Sequence, residues 1–307
     1  MSEGPVAEPG AVTRTGAESR GSNEGGRKKV TAPAVASRKR SRGDDPIVMV
    51  TAYDTPFARV VDEAGVDVIL VGDSVADNVL GLEHTLDVGI EQMAHHVAAV
   101  ARARPRALVV ADLPWMSYHV DAADALRNAA VLVRAGAEAV KLEGGRRRIP
   151  VVQAILDAEI PVMGHIGLTP QSVHAMGGLR VQARDAAAAE ALWLDAKALA
   201  AVGCFAVVLE GVPDAVAEVV TGAVDVPTVG IGAGRSCDGQ VLVLHDVLGL
   251  SSRPSPRFAR RYADLAGAAR AAVSCYASDV RAGTFPGESE SYHASDELRR
   301  FLDERLR

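Results

Sequence analysis

Residues 66–74 read Val66-Asp67-Val68-Ile69-Leu70-Val71-Gly72-Asp73-Ser74, and the fold is decided there. Val68, Ile69, Leu70 and Val71 form an unbroken apolar run with β-branched members. Such a run suits a parallel strand covered on both faces. Gly72 ends it, and a carboxylate and a hydroxyl follow at once. In parallel α/β folds ligands bind just past the C-terminal ends of strands. Taken alone, Asp73 would serve equally well as a cap for the next segment. The pattern repeats along the chain, and the repetition favours a site.

Working outward from that stretch, short apolar runs alternate with segments of helical spacing. Candidate strands fall at 47–52, 66–72, 107–112, 137–143, 160–166, 205–210, 226–231 and 241–245. Between them the spacing predicts helices at 56–64, 90–103, 122–135, 149–158, 186–202 and 214–221. This alternation is the signature of a parallel sheet. Eight strands in about 200 residues fit a (β/α)₈ TIM barrel. An open doubly wound sheet is the competing architecture, but no G-x-G-x-x-G follows the first strand. The glycine-rich Gly230-Ile231-Gly232-Ala233-Gly234 comes only after the seventh, where it reads as a phosphate cradle or as a plain turn.

Outside the barrel, residues 1–29 are polar and small and are expected to form a disordered extension. The catalytic unit is expected over 30–290, with a polar tail and a possible short helix at 291–307. Thr31 and Pro33 look like a helix start, and the basic cluster 38–42 then reads as its solvated, cationic last turn in preference to a nucleic-acid patch. Residues 257–282 carry an apolar stripe (Phe258, Tyr262, Leu265, Val273, Tyr276, Val280) expected to pack on the barrel or on a neighbouring subunit.

Composition narrows the function. A net charge of −6 argues against general nucleic-acid binding, and no apolar run reaches the roughly 18 residues needed to span a membrane. Cys204, Cys237 and Cys275 are scattered and lack a C-x-x-C pair, which fits reduced thiols and a cytoplasmic location.

The strand ends carry the chemistry. Asp73, Asp112 and Glu143 follow three successive strands, and hard oxygen ligands of this kind suit Mg²⁺. The competing reading is that Lys141 or an arginine neutralises the same cluster. The alternation Lys141-Leu142-Glu143 points both charged side chains to one face, into the barrel mouth. Glu210 ends an apolar strand, where partial desolvation would bring its basicity towards a working pH. The other reading of Glu210 is a cap or an ion-pair partner for the helix that follows. His165 reads first as a hydrogen-bonding residue.

Six motifs occur in order: Thr51-Ala52-Tyr53-Asp54, Val71-Gly72-Asp73-Ser74, Ala111-Asp112-Leu113-Pro114, Lys141-Leu142-Glu143-Gly144-Gly145, Gly164-His165-Ile166-Gly167-Leu168-Thr169-Pro170-Gln171-Ser172, and the glycine loop at 230–234. Together they resemble the ketopantoate (3-methyl-2-oxobutanoate) hydroxymethyltransferase family over about residues 30–290. The resemblance implies a (β/α)₈ enzyme of pantothenate synthesis. It would move a one-carbon unit from 5,10-methylenetetrahydrofolate to 3-methyl-2-oxobutanoate. It further implies that Asp73 and Asp112 hold Mg²⁺ at the substrate, with Glu143 in or next to its coordination shell. Ser74 and Lys141 would contact the keto acid, and Glu210 would accept the proton. A homo-oligomer, in this family a decamer, is expected. Under this resemblance the glycine loop is a turn. A Mg²⁺-dependent C–C lyase of the related carboxy-acid barrels is the alternative, although the Lys-Lys-Cys-Gly-His loop of those lyases is absent. The chain departs from the family pattern at Ala183-Arg184-Asp185, at the basic Arg146-Arg147-Arg148, and at Leu82.

Overall fold

The computed structural model describes residues 28–251 and 256–306. Eight parallel strands close into a barrel in sequence order: β1 Ile47–Thr51, β2 Val68–Val71, β3 Leu108–Asp112, β4 Ala139–Glu143, β5 Val162–Gly167, β6 Ala206–Glu210, β7 Thr228–Ile231 and β8 Gly239–Leu242. The expected (β/α)₈ TIM barrel is the observed fold. β8 differs from its expected range. It starts at Gly239 and ends at Leu242, and His245 lies in the helix Leu244–Leu248. Closure sets this register, because Ile47 through Val50 pair with Gly239 through Leu242. A Cβ on Gly239 would sit 2.5 Å from the Ile47 carbonyl oxygen, so glycine is what lets the closing strands meet.

Alternation along the strands divides the core in two. One set of side chains fills the barrel (Ile47, Met49, Val68, Leu70, Val110, Met163, Val208), and the other faces the helices (Ile69, Val71, Val109, Val140, Leu142, Val207, Leu209). The helix Ala32–Ala36 begins at the Thr31 cap with Pro33 in its first turn, as its sequence predicts. Its Ala32 and Val35 join the barrel-filling set and close the N-terminal end.

The basic cluster is not the solvated helix end expected from its charge. The helix stops at Ala36, and Arg40–Arg42 forms a separate turn. Lys39 is 4% exposed, and its Nζ donates to Thr221 O (2.8 Å), Val226 O (3.0 Å) and Asp238 Oδ2 (2.7 Å). Arg38 pairs with Asp67 at 2.7 Å. Lys39 is therefore a clamp joining the N-terminal segment to the helix Asp214–Ala223 and to the turns leading into β7 and β8, while Arg40, Ser41 and Arg42 stay exposed. The expected disordered extension 1–29 lies outside the described residues, apart from Lys28 and Lys29. Lys29 Nζ donates to the Ala107 carbonyl at 2.8 Å.

The expected helix over 257–282 is shorter, running Leu265–Ala282, because Asp264 caps it by accepting from Gly267 N at 3.0 Å. It does not pack on the barrel: none of its residues is buried, and Val273 is 65% exposed. A last helix, Asp296–Arg305, follows, as expected near the C-terminus. Among the described residues no helix is long and apolar enough to cross a membrane.

Removing one partner of a buried ion pair strands the other charge. Lys39→Met is therefore expected to cost about 3–5 kcal/mol of stability, read as a lowered urea midpoint with unchanged slope. A change below about 1 kcal/mol, the value of a surface pair, would show that Asp238 finds water instead.

Candidate active site

The barrel register puts the charged residues side by side at the C-terminal mouth. Asp112 on β3 pairs with Lys141 on β4, and Glu143 on β4 pairs with His165 on β5. Glu210 ends β6 opposite Ile231. Asp73, Asp112, Lys141, Glu143 and His165 are all buried, and Glu210 is half-buried. Together with Ser74 they line one cavity of about 110 Å³. Every residue expected at the site from the sequence is in this cavity. Tyr53-Asp54 also follows a strand end, but Asp54 accepts from Phe57 N at 2.8 Å and caps the helix Thr55–Glu63. There the capping reading prevails; for Asp73 it does not.

The two aspartates are adjacent. Asp112 Oδ2 accepts from the Asp73 backbone N at 3.1 Å. Asp112 Oδ1 lies 3.0 Å from Lys141 Nζ, yet it has no aligned hydrogen-bond partner. Burial, with the charges of Asp112 and Glu143, pushes the Asp73 carboxyl well above the usual range. Burial also raises Asp112, against the opposing pull of Lys141. Lys141 is raised despite its burial, because Asp112, Glu143 and Asp73 hold its charge. Two close carboxylates, one with an orphaned oxygen, suit Mg²⁺, which binds one or two carboxylates and takes its other ligands from water and substrate. Among the described residues no three His, Cys, Asp or Glu side chains converge as a complete metal cage.

Glu143, expected in or beside the metal set, lines the same cavity and has two partners of its own. Its Oε1 lies 3.3 Å from His165 Nδ1, and its Oε2 accepts from Gln171 N at 3.0 Å. Burial raises its pKa, but His165 and Lys141 outweigh that and hold it low. Both Glu143 oxygens are thus engaged, one by His165 and one by Gln171.

His165 sits between two carboxylates. Its Nε2 lies 3.2 Å from Glu210 Oε2, within ion-pair reach but without an aligned hydrogen bond. Lys141 Nζ is 3.2 Å from its Nδ1. Burial and the Lys141 charge lower the ring's pKa, while Glu143 and Glu210 raise it further, to about 9. The imidazolium is the favoured form at neutral pH. The partner of Glu210 is thus His165 on the neighbouring strand, and the helix that follows, Asp214–Ala223, has Pro213 at its cap position.

Two residues that orient the mouth escaped sequence reasoning. Tyr118, fully buried, donates to Gln171 Oε1 at 2.6 Å. That bond fixes the direction of the Gln171 amide, whose Nε2 donates to Asp73 Oδ2 at 2.8 Å and to Leu113 O at 3.0 Å. Gln171 stood inside a recognised motif, but its role depends on a loop contact that no spacing encodes. Ser74 Oγ is similarly held by Tyr53 OH at 2.8 Å. The unusual Arg146-Arg147-Arg148 is structural in part: Arg146 pairs with Asp195 at 2.7 Å, and Arg148 lies over the Tyr118 ring.

The ketopantoate hydroxymethyltransferase family model matches residues 29–288. The chain belongs to that family. A 3-methyl-2-oxobutanoate hydroxymethyltransferase from Methylobacterium sp. (strain 4-46) is 56% identical over 257 residues, covering 84% of this chain and 89% of that protein. One of the same name from Pyrobaculum islandicum is 58% identical over 246 residues, covering 80% and 94%. Among solved structures, a 2,3-dimethylmalate lyase aligns with a TM-score of 0.55 at 18% identity, over 90% of this chain and 96% of that one. A phosphonopyruvate hydrolase aligns at 0.56 and 13%, over 90% and 99%. These distant likenesses establish the barrel alone. Within the family frame the Ala183 departure has a measurable form: Ala183 adopts φ +53°, a left-handed conformation that costs a non-glycine residue about 1–2 kcal/mol.

The His165 environment predicts a pH effect in chain stripped of metal. Its folded pKa, about 9, lies above the roughly 6.5 of a free histidine. Its contribution to stability is therefore complete below about pH 6.5 and is lost as pH rises through about 9. NMR titration of the ring should show the high value, and His165→Gln should remove that part of the alkaline loss. A ring pKa at or below 6.5 would instead make Nδ1 a neutral acceptor for Lys141.

Proposed function

We propose that this chain is a 3-methyl-2-oxobutanoate hydroxymethyltransferase, making 2-dehydropantoate and tetrahydrofolate for pantothenate synthesis. Family membership over nearly the whole barrel supports the substrate class. The observation that carries the chemistry is the grouping of paired aspartates, an ammonium and a separate carboxylate, Glu210, around one small cavity.

Asp73 and Asp112 would hold Mg²⁺ where the keto acid binds, with Gln171 and Lys141 fixing their orientation. When bound, the ion supplies Lewis-acid polarisation of the 2-oxo group. Lys141 and Ser74 bind the carboxylate and oxo oxygens, and Lys141 offsets the negative charge that develops there. Glu210 removes the C3 proton, held in place by the His165 ring. The C–H electron pair then forms the new bond to the methylene carbon of 5,10-methylenetetrahydrofolate. Both carbon–nitrogen bonds of the folate methylene break: one opens to give the iminium that is attacked, and the other is released as water supplies the hydroxyl oxygen, the two nitrogens taking up the C3 proton and one proton of that water. Glu143 keeps His165 charged and aligned. The three free thiols accord with a cytoplasmic setting.

The test isolates proton removal: exchange of the C3 proton of 3-methyl-2-oxobutanoate into deuterated water, with Mg²⁺ and without folate. Glu210→Gln should slow this exchange by about 10²–10⁴-fold while still binding the keto acid. Chelation with EDTA should stop exchange in the wild-type chain, and Mg²⁺ should restore it. Wild-type exchange in the Gln variant would move the base to His165, and full exchange in EDTA would end the metal reading.

The same reading includes a homo-oligomer, for which the unpacked helix Leu265–Ala282 offers an apolar face. Sedimentation at micromolar concentration should show an assembly much larger than the 32.0 kDa chain. A monomer would contradict it.

A further inference from the structure

Two cavities meet at Glu210. The smaller holds Asp73, Asp112 and Lys141. The larger, about 270 Å³, shares Ser74, Thr85, Pro170, Glu210, Ile231 and Val243 with it. A transfer between two substrates needs two connected spaces, with the reacting carbons meeting where the base stands. About 110 Å³ leaves no room for a second, larger reactant beside the keto acid.

The two spaces differ in chemistry. The small cavity carries Lys141, which suits a carboxylate. Among the described residues no lysine, arginine or histidine lines the large one, whose charged groups are Asp77, Glu210 and Asp246. Such a wall repels an anion and accepts hydrogen bonds. The rest of it is largely apolar, with Leu179, Leu250 and Phe258 prominent. Phe258 lies directly on the glycine loop: a Cβ on Gly232 (φ +61°) would stand 2.7 Å from its ring. Asp246 is held by Ser251, whose Oγ donates to its Oδ1 at 2.7 Å. The ligand that matches is neutral, flat and apolar on its faces, with adjacent N–H donors on one edge.

We propose that this second cavity is the pterin subsite, an inference that rests on the hydroxymethyl-transfer reading. The reduced pterin ring of the folate co-substrate lies against Phe258, and its 2-amino and N3–H donors face the Asp246 carboxylate. Paired N–H donors on a planar edge are what a carboxylate accepts in parallel. The ring then directs its methylene-bearing nitrogens towards the shared wall at Glu210, where the C3 carbanion forms. The anionic glutamate tail points away from the acids, out of the mouth.

The experiment titrates the full chain with tetrahydrofolate by calorimetry under anaerobic conditions, for wild type, Asp246→Asn and Phe258→Ala. Both variants should weaken tetrahydrofolate binding, and raise the KM for methylenetetrahydrofolate, by about tenfold or more, the scale of one lost charge-assisted bond or one lost aromatic contact. The KM for the keto acid and the folate-free exchange of its C3 proton should stay at wild-type values. Unchanged folate affinity in both variants overturns the assignment. Parallel loss of exchange also overturns it, because the two residues would then serve the keto-acid chemistry. If the wild-type chain exchanges no proton, the transfer reading falls on its own, and the titration still decides the cavity: absence of tetrahydrofolate binding by the wild-type chain overturns it.

Discussion

The structure depends on how charge is balanced in a place with little water. Asp73, Asp112, Glu143 and Glu210 converge on Lys141 and His165 in the barrel mouth. Fully ionised, four carboxylates face one ammonium and one imidazolium, leaving two negative charges without a partner. Buried charges of one sign cannot persist unpaired. The excess is relieved by protonation, as the raised Asp73 and Asp112 carboxyls indicate, or by a dication. Either route would remove the excess negative charge at the mouth.

That balance works only because the groups cannot move. Barrel register puts Asp112 beside Lys141 and Glu143 beside His165 without any contribution from loops. The loops then set the fine orientation. The Tyr118 phenol occupies the oxygen end of the Gln171 amide, so the nitrogen end must meet Asp73. A side chain outside the cavity lining thus decides which way the Asp73 carboxylate faces. Preorganisation of this kind removes the cost of reorienting dipoles during reaction.

Strand order and the charged strand ends were legible in the sequence because both follow from local pattern. Apolar runs mark strands buried on both faces, and the residue after each run must face the mouth. What was not legible depended on contacts across the fold. β8 was misplaced because Gly239 and Gln240 are not apolar, and only their pairing with Ile47 and Val48 makes them a strand. Lys39 reads as surface charge in sequence, since its partner Asp238 is far away along the chain. The partners of Glu143 are hidden for the same reason: nothing local reveals that His165 and Gln171 engage its oxygens.

The closing pair of strands also constrains how the chain is made. β1 can meet β8 only after residue 239 has been synthesised, and the Lys39 clamp waits for Asp238 in the same interval. Until then the edge of β1 stays open, with buried-type residues such as Ile47 and Met49 exposed to other nascent chains. Open strand edges of this kind are where chains mispair. The N-terminal end of this barrel is thus the first part made and the last part secured. The burden of keeping it apart from its neighbours falls on the cell that synthesises it.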